Sequence, residues 1–224
     1  MSGGSAVPET LRFPDALVAA DLTTFLERAR RVDPGGAARL VGHGDVLAVY
    51  VSPVHGGGGP VVLGLRTLQL GAPSAVDATT PLAALLAELA RGAEPARGPA
   101  AVVVPLERAG EATWAGTSPP RRGWQPVGAV EPQVIQERAQ VGISDVAAGA
   151  PAGSGAAAVT ALRARVWGRP LTQALPEVPA GVAFAVVALG YLDAAAPAAV
   201  YRAGPWWRVT TSGGHVLARR PLLP

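Results

Sequence analysis

The sequence predicts an α+β protein: a small, mostly antiparallel sheet with two helices, then a helical segment ending in a β-meander. Three observations predict it. Apolar residues recur at helical spacing in Leu22–Ala29, Leu82–Leu89 and three later stretches. Period-two runs bounded by glycine turns occupy 37–70 and 199–219. Leu, Ile, Val and Phe make up about a quarter of the 224 residues, enough to bury a core. The expected organisation is an α+β domain over 10–106, an irregular Pro/Trp/Arg-rich connection over 107–130, and three helices plus a terminal β-hairpin over 131–220.

Asp21 is the expected N-cap of a first helix whose Leu22, Phe25, Leu26 and Ala29 face one side, up to the turn Asp33-Pro34-Gly35-Gly36. Ala37–Val41 and Val46–Ser52 flank Gly42-His43-Gly44-Asp45 and read as a hairpin. A further strand, Val61–Leu70, follows the glycine run 56–59. Beyond the Pro73-Ser74 turn, Ala75–Thr79 reads as a short returning strand. Thr80-Pro81 supplies a cap and a first-turn proline for a helix with Leu82, Leu85, Leu86 and Leu89 on one face, ending near Arg91. Ala101–Val104 is an apolar strand.

Glu107–Val130 shows neither period. A helix resumes at Pro132 with Val134, Ile135, Arg138, Val141 and Asp145 and ends near Ala148. Ala147–Ala158 is low-complexity linker. Further helices cover Ala156–Trp167, burying Val159, Leu162 and Val166, and Ala180–Leu192. Ala199–Arg202, Trp206–Thr211 and His215–Arg219 then form the meander, with a tight turn at Gly213-Gly214.

Composition closes several reaction classes. All 19 basic residues are arginine and no cysteine is present. Without lysine there is no P-loop lysine and no Schiff base. Without cysteine there is no thiol nucleophile, thiolate metal site or disulfide. The net charge is only +3, so the calculated pI of 10.1 reflects missing titratable groups and not a polycation. Met1–Thr10 has no signal-peptide pattern. The uncharged stretch Val178–Leu192 has 15 residues, short of the ~20 a bilayer requires. The expected location is the cytoplasm, with no membrane contact.

Motif by motif, no catalytic, metal or cofactor site emerges. Gly42-His43-Gly44 leads into a strand, whereas a dinucleotide site needs a helix start there. Gly153-Ser154-Gly155-Ala156-Ala157-Ala158 opens a helix but follows a linker instead of a strand. The glycine run 56–59 is followed by no phosphate-binding Lys, Ser or Thr. His43, His55 and His215 lack metal-ligand spacing, and no serine sits in a nucleophile elbow.

What remains is arginine beside tryptophan. All five tryptophans lie between Trp114 and Trp207, in the contexts Arg121-Arg122-Gly123-Trp124, Arg165-Val166-Trp167-Gly168-Arg169 and Trp206-Trp207-Arg208. Alternation along the terminal hairpin puts Trp207, Val209, Val216 and Ala218 on a core face. Trp206, Arg208, Thr210, Ser212, His215 and Arg219 then share an outward face, with Trp207 expected to be markedly more buried than Trp206. The candidate partner-binding residues are Trp206, Arg208, Arg219 and His215, with Arg121, Arg122 and Trp124.

Ser118–Trp124, Arg165–Pro170 and Gly204–Arg208 together resemble an uncharacterised family of proteins from high-GC actinobacteria. The resemblance covers most of the chain and implies no activity, cofactor or catalytic residue. The leading expectation is a non-catalytic protein that binds a protein partner, another copy of itself included, through the Arg/Trp surface. One alternative is a small-molecule enzyme or sensor whose site lies between the two parts and is lined by Arg121, Arg122 and Trp124. Another is a weak nucleic-acid binder of winged-helix order; against it, Ala180–Leu189 carries no side chain that contacts a base edge or a phosphate.

Overall fold

A computed structural model describes residues 10–92, 101–103, 112–116, 118–150, 153 and 155–221. The elements run β1 (Thr10–Arg12), α1 (Ala16–Val32), β2 (Ala37–Val54), β3 (Val61–Ser74), β4 (Asp77–Pro81), α2 (Leu82–Gly92) and β5 (Ala101–Val103). A 3-10 turn at Thr113–Gly116 leads to β6 (Gln125–Val130), α3 (Pro132–Gly149), α4 (Ala156–Trp167), α5 (Gly181–Ala188), β7 (Ala198–Ala203), β8 (Trp206–Thr211) and β9 (Gly214–Arg219). The class is α+β. Seven strands form one sheet in the order β4-β2-β3-β9-β8-β7-β6, and β1 pairs with β5 in a second, antiparallel ladder. Two compact units result, Met1–Val51 with Arg66–Ala115, and Ser52–Leu65 with Gly116–Pro224.

In the first unit, α1 starts earlier than its apolar stripe suggests. Asp15, not Asp21, is the N-cap: its carboxylate accepts from the backbone of Leu17 at 2.8 Å and Val18 at 3.0 Å. Asp21 lies inside the helix and instead accepts from Arg66 Nη2 at 2.6 Å and Nε at 2.8 Å. The buried face is Leu22, Phe25, Leu26 and Ala29, as the spacing predicts.

The hairpin expected at 42–45 does not form. β2 runs unbroken through it for 18 residues, and Gly42 serves close approach instead of reversal. A Cβ on Gly42 would lie 2.6 Å from the Ser74 carbonyl oxygen, and the Gly42 amide donates to the Val76 carbonyl at 2.7 Å. Gly44, at φ +60°, takes a left-handed conformation within the strand. β4 does return on β2, with Arg39 opposite Thr79, and Arg39 binds Asp77 at 3.0 Å through both Nε and Nη2. α2 buries Leu82, Leu85 and Leu89. Thr80 is no cap: it lies in β4, and its Oγ1 is buried with no partner among the described residues. Of the strand expected at Ala101–Val104, Val104 lies outside the described residues.

In the second unit, the Ser52–Leu65 end of the β2–β3 hairpin meets the later elements. Gly56, Gly57 and Gly58 all have φ between 61° and 78°. A Cβ on Gly57 would approach the Thr160 carbonyl oxygen to 3.0 Å, and one on Gly59 would reach Ala164 Cβ at 2.6 Å. The run is a strand connection, as the absence of phosphate ligands suggests, and it packs on α4. Part of the region expected to be irregular forms β6, which pairs with β7 and carries a bulge between Pro126 and Gly128; residues 107–111 lie outside the described residues.

The buried face of α3 is Pro132, Ile135, Ala139 and Gly142; of the expected Val134, Ile135, Arg138, Val141 and Asp145 only Ile135 is buried, and Val141 is exposed. Gly142 makes room for Trp167, whose fully buried ring stacks on Phe184 at 4.6 Å between centroids. Trp167 Nε1 is buried without a partner among the described residues. α5 is shorter than the expected 180–192 helix, and Val182, Ala183, Ala185 and Val186 are all buried, so it is a core helix. No helix among the described residues is long and apolar enough to cross a membrane.

Candidate functional site

The three terminal strands form as expected, but the turn between the last two is displaced by one residue. Thr211 faces Gly214 and Thr210 faces His215, so Ser212-Gly213 is the loop and not Gly213-Gly214. Tyr191 packs against both glycines of this turn. A Cβ on Gly213 would lie 2.9 Å from Tyr191 Cα, and one on Gly214 would lie 2.6 Å from Tyr191 Cζ. The shift preserves the parity of the strands. Trp206, Arg208, Thr210, His215 and Arg219 therefore share one face, with Leu217 among them, and Trp207, Val209, Val216 and Ala218 share the other.

The exposure expected for Trp206 is overturned. Trp206 is 4 % exposed and Trp207 is 9 %, so both rings are buried and Trp206 is the deeper. The alternation argument assumes a ribbon with one wet face. Here β9 continues the sheet by pairing with β3, setting Leu63 opposite Leu217, and both of these are buried on the face that carries Trp206. Trp206 thus fills the core, and its Arg219 neighbour covers it, with Cζ 5.8 Å from the ring centroid. On the other face Arg202 lies over Trp207 at 5.2 Å.

What this face brings together is a cluster around Arg208. The β7–β8 register puts Tyr201 opposite Arg208, and the Arg208 guanidinium carbon lies 4.4 Å from the Tyr201 ring centroid and 4.8 Å from that of Trp124. Trp124 is held by its own turn. Its indole Nε1 donates to the Pro120 carbonyl at 2.9 Å, and Gly123, at φ +80°, allows the chain to reverse there. Arg121 and Arg122 are exposed on that turn, while Trp124, Tyr201 and Arg208 are half-buried.

One cation over two ring faces in a partly dry environment is favourable by about 1 kcal/mol per ring, yet Arg208 is incompletely satisfied. Its Nε is buried with no partner among the described residues, and burial pulls its pKa below the ordinary arginine value, opposed by Tyr201. His215, half-buried, shares a hydrogen bond with Thr210 at 3.0 Å between Nδ1 and Oγ1. Asp193 accepts from the Ser212 hydroxyl at 2.7 Å and the Ala195 amide at 2.9 Å, which together hold its pKa below the ordinary carboxylate value.

Of the residues singled out in the sequence, Trp124 and Arg208 meet directly, Arg121 and Arg122 stand beside them on the turn, and Arg219 with Trp206 forms a neighbouring pair. Tyr201 is the member that sequence reading misses. The signal is present in Gly204-Pro205: taken as a two-residue turn it sets Tyr201 opposite Arg208. In the first unit a separate cavity of about 530 Å³ is lined by Glu27, Arg30, Arg31, Pro34 and Ala83.

No curated protein matches the chain. Among solved structures, a crystal structure of the C. crescentus beta sliding clamp matches with 11% identity and a TM-score of 0.49, over 96% of this chain and 65% of that one. The chain thus spans less than two thirds of the length of the clamp it matches. Residues 7–109 match the Domain of unknown function (DUF8010) and residues 119–223 match the Domain of unknown function (DUF8185); the chain therefore carries, in that order, two domains from families of unknown function.

Proposed function

We propose that this protein acts in the cytoplasm by binding another protein, without catalysing a reaction, through the Arg208 cluster of its second unit and the adjoining Arg121–Arg122 turn. One observation carries the reading: Arg208 is held by two aromatic rings, half-buried, with its Nε buried and bonded to no acceptor among the described residues. Side chains that will be immobilised at an interface cost less to bind when they are already fixed, and arginine with aromatic neighbours is where interfaces concentrate their energy. Trp206 is not part of the contact in this reading. It supports the face from beneath Arg219.

The test is affinity capture from the native host with the unaltered chain and with an Arg121→Ala, Arg122→Ala, Arg208→Gln variant whose melting is first shown to be unchanged. A partner should be recovered by the former and reduced at least severalfold with the latter. Recovery of every captured protein at equal levels by both chains refutes the proposal.

A further inference from the structure

Among the described residues, Arg208 is distinctive as the arginine whose Nε is buried without a hydrogen-bond partner, while seven others have acceptors. Arg39 pairs with Asp77, Arg66 with Asp21, Arg91 with Glu88, Arg169 with Asp145 and Arg202 with Glu177. Arg163 donates to the Pro53 carbonyl, and Arg220 to the carbonyls of Pro176, Glu177 and Gly168. Arg208 has neither kind of partner among the described residues. Burying that Nε without an acceptor is unfavourable, while the side chain as a whole is only half-buried, so the rest of the guanidinium is what an arriving acceptor would engage.

Geometry limits what that acceptor is. The rings of Trp124 and Tyr201 are already engaged with the cation, which leaves the N–H edge of the guanidinium to offer. That edge is a planar fork that matches a carboxylate, two N–H groups to two oxygens. The neighbouring charge has the same sign, since Arg121 and Arg122 are exposed on the turn that Trp124 closes and Arg219 lies on the same sheet face. We infer that this cluster binds an acidic peptide segment of a protein partner, with one glutamate or aspartate side chain entering edge-on to Arg208 and further acidic residues facing Arg121 and Arg122.

Nucleic acid fits less well. Single strands are held by bases stacking on free aromatic faces, and here one face of each ring is taken by Arg208. Phosphate backbones also require a concentrated basic stripe, whereas the whole chain carries a net charge of +3.

The inference rests on the proposed protein contact, and its test reads a different quantity. The arginine Nε–Hε resonances of the full-length, ¹⁵N-labelled chain are followed during titration with capped tetraglutamate, capped tetraglutamine and oligothymidylate of equal charge. The Arg208 resonance should move with tetraglutamate, together with those of Arg121 and Arg122, and remain in place with tetraglutamine. Added salt should weaken the effect. Arg208→Lys keeps the charge but loses the planar fork, and should weaken tetraglutamate binding about tenfold.

A stationary Arg208 signal, an equal response to tetraglutamine, or tighter binding of oligothymidylate than of tetraglutamate overturns the inference; the last outcome assigns the cluster to nucleic acid. Because the wild-type resonance is read directly, the test stands even if a variant fails to fold. Should tetraglutamate fail while the triple variant still loses a captured partner, the acidic segment is refuted and the protein contact survives.

Discussion

Replacing Gly142 by alanine sets two effects against each other, and the structure says which wins. In a helix interior alanine is favoured over glycine by about 1 kcal/mol. The added Cβ, however, would lie 2.1 Å from Trp167 Cζ3 and 2.5 Å from Cη2, more than an ångström inside ordinary contact. The ring is 2 % exposed and is backed by Phe184 in a stack inclined by 21°, so it has little room to yield. Overpacking of this kind costs about 3 kcal/mol, the upper part of its usual range. The net loss is about 2 kcal/mol, a fall in Tm of about 4–8 °C for a chain of this size. Urea or thermal unfolding followed by circular dichroism measures it. A double-mutant cycle with Trp167→Phe identifies the cause, because Gly142→Ala should cost less where the smaller ring leaves space. A Gly142→Ala protein as stable as the parent refutes the overlap argument, and an unchanged cost in the Trp167→Phe background refutes its assignment to the indole.

Further outcomes follow from single contacts. Trp206→Ala should destabilise the fold by about 3–5 kcal/mol, as for a buried tryptophan, whereas a surface indole would cost little; chemical denaturation separates the two. Asp15→Ala should cost about 1 kcal/mol through loss of the α1 cap, and Asp21→Ala no more than about 1 kcal/mol because its Arg66 partner is part-exposed; the two are compared in one denaturation series. The Asp193 pKa is depressed in the folded state, so its pairing stabilises above the ordinary carboxylate pKa and the gain is lost as pH falls through the depressed value. Ser212→Ala should therefore be less stable than the parent at neutral pH, and the difference should shrink in acid melts.

The α1 stripe, the leucine face of α2 and the strand alternation of the terminal meander are all legible in the sequence because each is set by local spacing. The errors are at glycine. Gly42 and Gly44 have the composition of a turn, but Gly42 serves the approach of the chain near Ser74, a contact more than thirty positions away that no local window reveals. Gly142 likewise reads as a weak point in α3 until Trp167 is seen to fill it. The site divides in the same way. Arg208 and Trp124 are conspicuous by type, and their meeting is not, since it requires the Pro120–Trp124 turn to fold back. Trp206 reads as outward-facing because two adjacent strand residues point in opposite directions. That geometry is correct, and it fails to predict exposure only because the sheet is buried on both sides at the Trp206–Trp207 end of β8.

The position of β9 has a consequence for how the second unit assembles. It is the last described strand in sequence, yet it lies between β3 and β8, joining Val61–Leu65 to a partner some 150 positions later, from His215 to Arg219. Until that segment emerges from the ribosome, one side of β3 has unmet backbone donors and acceptors, and the helices α3 to α5 must condense around an incomplete layer. Pairings this distant are slow to form and leave an open strand exposed to intermolecular capture meanwhile. Synthesis of β9 is thus the step that commits the nascent chain to its sheet.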